Sequence, residues 1–143
     1  MRLALGEAAR AQAAGEVPIG AVVIRGGVVL GAAHNETVAR RDPTAHAELL
    51  ALQRAIAAEP SDRLPGATLF VTLEPCAQCA GAAVLTKVDR VVFGAWDERA
   101  GMSGSVHDLL RHPSLNHRAE VTGGVLAEEC AAVLREFFER RRK

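Results

Sequence analysis

Two short stretches constrain this chain more than the rest of it: Thr44-Ala45-His46-Ala47-Glu48 and Pro75-Cys76-Ala77-Gln78-Cys79. One imidazole and two cysteines at C-x-x-C spacing make a set of three zinc donors, so the fold must bring His46 to Cys76 and Cys79. Pro43 stands shortly before the histidine and Pro75 directly before the first cysteine. Proline is favoured in the first turn of a helix, so each donor set is predicted to open one. A helix N-terminus is electropositive and favours thiolate over thiol. Glu48 follows His46 by two residues, too close to share its helical face as a second ligand. A fixed carboxylate beside a metal-bound water is what proton transfer requires. Three protein donors leave the fourth tetrahedral position to water, which marks a catalytic site rather than a closed structural one. A structural zinc with its fourth ligand elsewhere, or a redox C-x-x-C pair, accounts for the cysteines but not for a glutamate beside the histidine.

The remaining sequence sets no obstacle to that chemistry. With 143 residues, 49% of them hydrophobic and 24% charged, residues 1–143 are expected to form one soluble domain that buries about two-thirds of its unfolded surface. No apolar run approaches the ~20 residues of a membrane span and no signal peptide opens the chain, so no membrane partner is expected. Two of the three cysteines are claimed as ligands, which leaves no disulfide pair and points to a reducing cytoplasm. Formal net charge is zero, so nucleic-acid binding must rest on a local basic patch. The densest is Arg140-Arg141-Arg142-Lys143.

Read in order, the chain opens with an amphipathic helix from Met1 to Ala14, ended by Gly15. Val17–Ile24 is an apolar, β-branched run suited to an interior strand, and Gly26-Gly27 is a hairpin signal before a second strand, Val28–Ala33. His34-Asn35-Glu36 and a polar loop follow. Asn35 offers a donor and an acceptor to a purine edge, although on spacing alone a turn asparagine is the plainer reading. Helices are predicted over Thr44–Ala58 and Cys76–Thr86, strands over Ala67–Leu73 and Val88–Gly94. A glycine-punctuated loop runs from Trp96 to Ser105. A fifth strand is expected over Arg118–Thr122 and a terminal helix over Leu126–Arg140. Its apolar stripe includes Cys130 and Phe137, with Phe138 off the centre. The β-α-β-α-β middle demands parallel pairing with right-handed crossovers, while the opening hairpin is antiparallel. The expected architecture is therefore a three-layer α/β domain with a mixed five-stranded sheet flanked by helices.

The pairing of H-A-E with P-C-x-x-C resembles the zinc-dependent nucleoside and nucleobase deaminases. Further stretches carry the likeness to the bacterial tRNA-specific adenosine deaminases: Gly15–Val22, Asp42–Glu48, Phe70–Cys76, Cys79–Ala82, Val91–Ala95, Gly104-Ser105, Asn116–Arg118 and Phe137-Phe138. The resemblance implies a cytidine-deaminase-like fold, a homodimer, one Zn2+ per chain, and adenosine-to-inosine conversion at the wobble position of a tRNA anticodon, usually of an arginine tRNA. It implies that His46, Cys76 and Cys79 bind zinc, with water or hydroxide as fourth ligand, and that Glu48 moves protons. It further implies that Asn35 and the Ala47 amide hold the purine, that Asp97 lies in a rim loop near the flipped nucleotide, and that Asn116, Phe137 and Phe138 pack around the anticodon loop. Gln78 and Trp96 depart from residues common in that family, and the chain begins closer to its first helix than many relatives.

Two alternatives use the same residues. A deaminase of free guanine, cytosine or a small nucleoside shares the metal motif but has no need of aromatics beside a basic terminus. A catalytically inactive zinc-stabilised binding subunit has no need of Glu48. His34, His107, His112 and His117 suggest loop, surface or capping positions.

Overall fold

The computed structural model describes residues 1–142. Its elements follow the order α1 (Arg2–Ala13), β1 (Gly20–Arg25), β2 (Val28–His34), α2 (Ala47–Ala57), β3 (Thr68–Leu73), α3 (Ala77–Thr86), β4 (Arg90–Ala95), β5 (Glu120–Thr122) and α4 (Ala127–Arg141). The five strands form one sheet in the order β2-β1-β3-β4-β5. β1 runs antiparallel to both of its neighbours, whereas β3, β4 and β5 are mutually parallel, so the sheet is mixed as expected.

Local chemistry explains where the elements stop. Gly26 and Gly27 both have positive φ (57° and 78°), the conformation that a two-residue hairpin loop needs to match strand twist. The first strand begins at Gly20, later than the apolar run suggests. Pro18 has no N–H to give to a ladder, and Ile19 N–H instead closes a tight turn onto the Val17 carbonyl at 2.8 Å. The fifth strand is likewise shorter than its apolar pattern, three residues on β4's free side.

Two helices cover each face of the sheet. Ala21, Val23, Leu69, Val71, Val91 and Phe93 point into a core shared with Ala47, Ala51 and Ala55 of α2 and Ala80 and Ala83 of α3. Alternate positions on the other face receive α1 and α4. Close approach depends on glycine. A Cβ at Gly20 would stand 2.1 Å from the Ala4 carbonyl oxygen, one at Gly31 2.4 Å from that of Ala51, and one at Gly94 2.3 Å from Cys130 Sγ. The obstacle at Gly31 is helix backbone, which cannot swing aside. Gly31→Ala should therefore push α2 outward and destabilise the fold by about 1–3 kcal/mol, the usual cost of overpacking, read as a lower midpoint in denaturant.

Candidate metal centre and adjoining cavity

His46 is the N-cap of α2 and Cys76 the N-cap of α3, both with extended backbone (φ −78°, ψ 151° and φ −77°, ψ 179°). Cys79 follows in the first turn of α3. Both donor sets thus open helices, but the prolines stand outside them. Pro75 precedes the cap, and Pro43 lies three residues before His46, in a turn where Asp42 Oδ1 accepts from Thr44 N–H (2.8 Å) and Thr44 Oγ1 (2.6 Å). The physical reason is that a residue preceding proline is driven to extended backbone, which ends the loop rather than starting the helix. Gln78 Nε2 donates to the Thr44 carbonyl at 2.9 Å, tying one helix start to the other. That gives this departure from the family pattern a structural part to play.

The donor atoms converge. His46 Nδ1 lies 3.5 Å from Cys76 Sγ and 3.5 Å from Cys79 Sγ, and all three lie within 4.8 Å of one another. Tetrahedral zinc with Zn–S near ~2.3 Å and Zn–N near ~2.05 Å separates nitrogen from sulfur by about 3.6 Å, so the set fits that ion. In the protein alone, Cys76 is held down to about 3 by a hydrogen bond from Cys79 and then by His46. Cys79 is pushed up by that same bond and by burial, and His46 is raised through its contact with Cys76. Negative charge thus collects on one sulfur, with the His46 ring beside it.

Glu48 occupies the second position of α2 and is almost wholly enclosed, 5% exposed. Burial pushes its carboxyl up to about 7. A cavity of about 280 Å3 opens beside it, lined by Val17, Ile19, Asn35, His46, Cys76 and Asp97 among others. Asn35 is buried, and its Nδ2 donates to Thr37 Oγ1 at 3.4 Å. Ala47 is fully buried at the first position of α2, where its amide belongs to the unpaired first turn of the helix. Asp97 reaches the cavity rim and its Oδ1 accepts from the N–H groups of Arg99 (3.0 Å) and Ala100 (3.2 Å).

The other residues named for substrate lie elsewhere. Asn116 accepts from Lys87 Nζ at 2.7 Å, and Lys87 caps the far end of α3, about 15 Å of helix from Cys76. Phe137 is buried, its ring edge-on to Phe138 at 5.3 Å and covered by the Arg141 guanidinium at 4.6 Å. Phe138 is exposed and lines a different cavity. Lys143 lies outside the described residues. The remaining histidines make local contacts: His34 with the Asn35 carbonyl, His117 with that of Val88, and His107 and His112 with the N–H groups of Asp108 and Ser114.

Two further carboxylates, which no motif in the sequence marks, order the loops around the site. Glu74, 1% exposed, accepts from the N–H groups of Asp97 (3.0 Å), Ser103 (3.0 Å) and Ser105 (3.1 Å), and from Ser105 Oγ. Burial pushes its carboxyl up, but the bonds from Ser105, Asp97 and Ser103 together outweigh that and hold it below the usual range. Glu16, equally buried, accepts from Val38 N–H (2.9 Å) and Ala39 N–H (2.7 Å), fixing the loop that follows Asn35. Their only signal was position, Glu74 immediately before Pro75-Cys76 and Glu16 within the Gly15–Val22 stretch.

Comparison with known proteins adds to this geometry. A family model described as MafB19-like deaminase matches residues 1–142. The tRNA-specific adenosine deaminase of Bacillus subtilis (strain 168) is 49% identical over 143 residues, 100% of this chain and 89% of that protein. A solved structure from studies of A-to-I editing by tRNA:A34 deaminases at the wobble position of transfer RNA superposes with a TM-score of 0.89 at 40% identity, covering 94% of this chain and 97% of that one. A guanine deaminase from Nitrosomonas europaea superposes with a TM-score of 0.80 at 27% identity, covering 94% of this chain and 80% of that one. On the donor geometry, Cys79→Ala should reduce bound zinc from one per chain to a small fraction, measured by metal analysis of purified protein.

Proposed function

Because the chain belongs to the tRNA-specific adenosine deaminases, we propose that it converts adenosine to inosine at the wobble position of a tRNA anticodon, in particular that of an arginine tRNA. The observation that carries this reading is Glu48, a carboxyl enclosed beside His46, Cys76 and Cys79 at the wall of a purine-sized cavity. Zinc, when held by those three residues, supplies a water that is readily deprotonated near neutral pH.

The chain's own groups do the rest. Glu48 takes a proton from the attacking water and delivers it to the ring nitrogen N1 of the purine. A C–O bond then forms at C6. Glu48 next takes the proton of the new C6 hydroxyl and passes it to the amine; the C–N bond breaks, the C6 oxygen becomes a carbonyl, and ammonia leaves with inosine as product. Both transfers need a carboxyl that is not a metal ligand and whose proton affinity sits near neutrality. Burial of Glu48 raises its proton affinity above that of an exposed carboxylate. Asn35 and the Ala47 amide hold the purine edge, and Asp97 stands at the rim. Adenosine must leave its base stack to enter, which suits a single-stranded loop.

A homodimer is part of the same proposal. The outward side of α3 carries exposed Ala77, half-buried Gly81 and Leu85, which is 75% exposed. Small residues around one large apolar side chain suit close helix contact with a second copy. No described helix is long and apolar enough to cross a membrane. The cytoplasm, where tRNA is processed, is the proposed location.

One observation favours a second reading. The guanine deaminase from Nitrosomonas europaea has the same fold, so deamination of free guanine is the alternative. Incubating the zinc-loaded chain with an anticodon stem-loop and, separately, with guanine, cytosine and adenosine decides between them. Inosine in the stem-loop alone is the expected result, and turnover of a free base with the stem-loop untouched would replace the tRNA reading. Glu48→Ala should keep its fold and metal but lose at least ~10²-fold in rate. Light scattering at micromolar concentration should give about twice the 15.1 kDa chain mass.

A further inference from the structure

The Gln78 carboxamide stands between the two halves of the donor set. Its Nε2 carries two hydrogens, and each has an acceptor: the Thr44 carbonyl at 2.9 Å, and Cys79 Sγ at 3.8 Å, within the longer reach of a hydrogen bond to sulfur. Both partners accept, one a carbonyl oxygen and the other a sulfur that is a thiolate when it holds a metal. The amide nitrogen, not the amide oxygen, must therefore face them. The Thr44 carbonyl also accepts from the His46 N–H, at 2.7 Å. A short path of hydrogen bonds thus runs from the Cys79 sulfur, through one side chain and one carbonyl, to the backbone of His46, 33 positions earlier in the chain.

Two physical effects follow from that placement. Cys79 is wholly buried, so water does not reach the sulfur lone pairs left over once one of them binds a metal. A buried thiolate with no donor on those lone pairs bears the full loss of its hydration. An N–H directed at the sulfur offsets part of that loss and draws electron density from it. The second effect is on position. Thr44 and Cys79 belong to separate loop–helix junctions, and a bond between them holds imidazole and cysteines at ligand spacing before an ion arrives, which leaves less ordering to be met on binding. C-x-x-C spacing does not ask for glutamine between the cysteines. An apolar side chain of equal length would fill the same space with no hydrogen for either acceptor.

We infer that Gln78 is a positioning residue of the metal centre, which clasps the Thr44 turn to the start of α3 and donates to the Cys79 sulfur, so that the chain holds zinc more tightly than its three donors alone would. The inference rests on the zinc reading above and concerns a side chain that is not itself a ligand.

Gln78→Met keeps the length of the side chain and removes both hydrogens. In competition with a chromophoric chelator, zinc should bind that variant about 10- to 100-fold more weakly than the unaltered chain. Cobalt(II) in place of zinc gives a second readout, the sulfur-to-metal charge-transfer band, which moves to longer wavelength when a thiolate loses a hydrogen bond. That band should move in Gln78→Met, whereas a mere loosening of the helix contact would leave it in place. Gln78→Lys restores a donor at similar length and should recover most of the affinity and return the band toward its original position; lysine would not repair a loss caused by altered packing. Unaltered zinc affinity or an unmoved band in Gln78→Met, or no recovery in Gln78→Lys, would overturn the inference. Failure of the zinc reading shows separately: the unaltered chain would take up neither ion at one per chain, or Cys79→Ala would keep it.

Discussion

The meeting of two helix N-termini at one point of the sheet governs the rest of this molecule. α2 and α3 each begin at a residue of the group that could hold a metal, His46 and Cys76, whose backbone is still extended. The first N–H groups of both helices are unpaired by helix geometry and point toward the same region, which makes it electropositive before any ion arrives. That field favours thiolate at Cys76. The glycine at Gly31 lets α2 lie close enough to the sheet for this alignment, while Gln78 links the two starts directly.

Two buried carboxylates hold the loops around that point. Among the described residues Glu74 and Glu16 have no cationic partner; backbone N–H groups and, for Glu74, the Ser105 hydroxyl satisfy them instead. Removing a carboxylate from water is costly unless it is fully hydrogen-bonded, and each of these meets the condition by ordering a loop. For Glu74, whose folded pKa is lowered, that stabilisation is complete above the ordinary carboxylate pKa and disappears as pH falls through the lowered folded value. The rim bearing Asp97 is thus tied, through the Glu74 side chain, to the backbone two residues before Cys76.

Much of this was legible in the sequence because it follows from short-range rules. The Gly26-Gly27 turn, the apolar β1 and the H-A-E and P-C-x-x-C pairs announce themselves through composition and spacing. Element ends were less legible: Pro18 delayed β1 and Pro43 proved to belong to a turn, since a proline marks a boundary without saying on which side it falls. Glu16 and Glu74 were illegible for another reason. A carboxylate that binds the backbone of a distant loop has partners defined only by the fold, and its own neighbours carry no pattern. Phe137 and Phe138 show the favourable case, where helical periodicity alone separated the buried ring from the exposed one.

The position of β1 has a consequence for how the chain folds. It pairs with β2 through a turn of two residues, Arg25 opposite Val28, but with β3 across a much longer stretch, Ala21 opposite Val71. Loop-closure entropy grows with the logarithm of that separation and makes the second pairing costlier by about 2–3 kcal/mol. Hairpins close within about 1–10 μs. The first ribbon therefore forms as a local event and offers a ready edge, and α2 docking onto it brings β3 to that edge. His46 and Cys76 stand 30 residues apart with β3 between them, so the convergence of the two donor helices follows from the pairing of β3 rather than from any local contact.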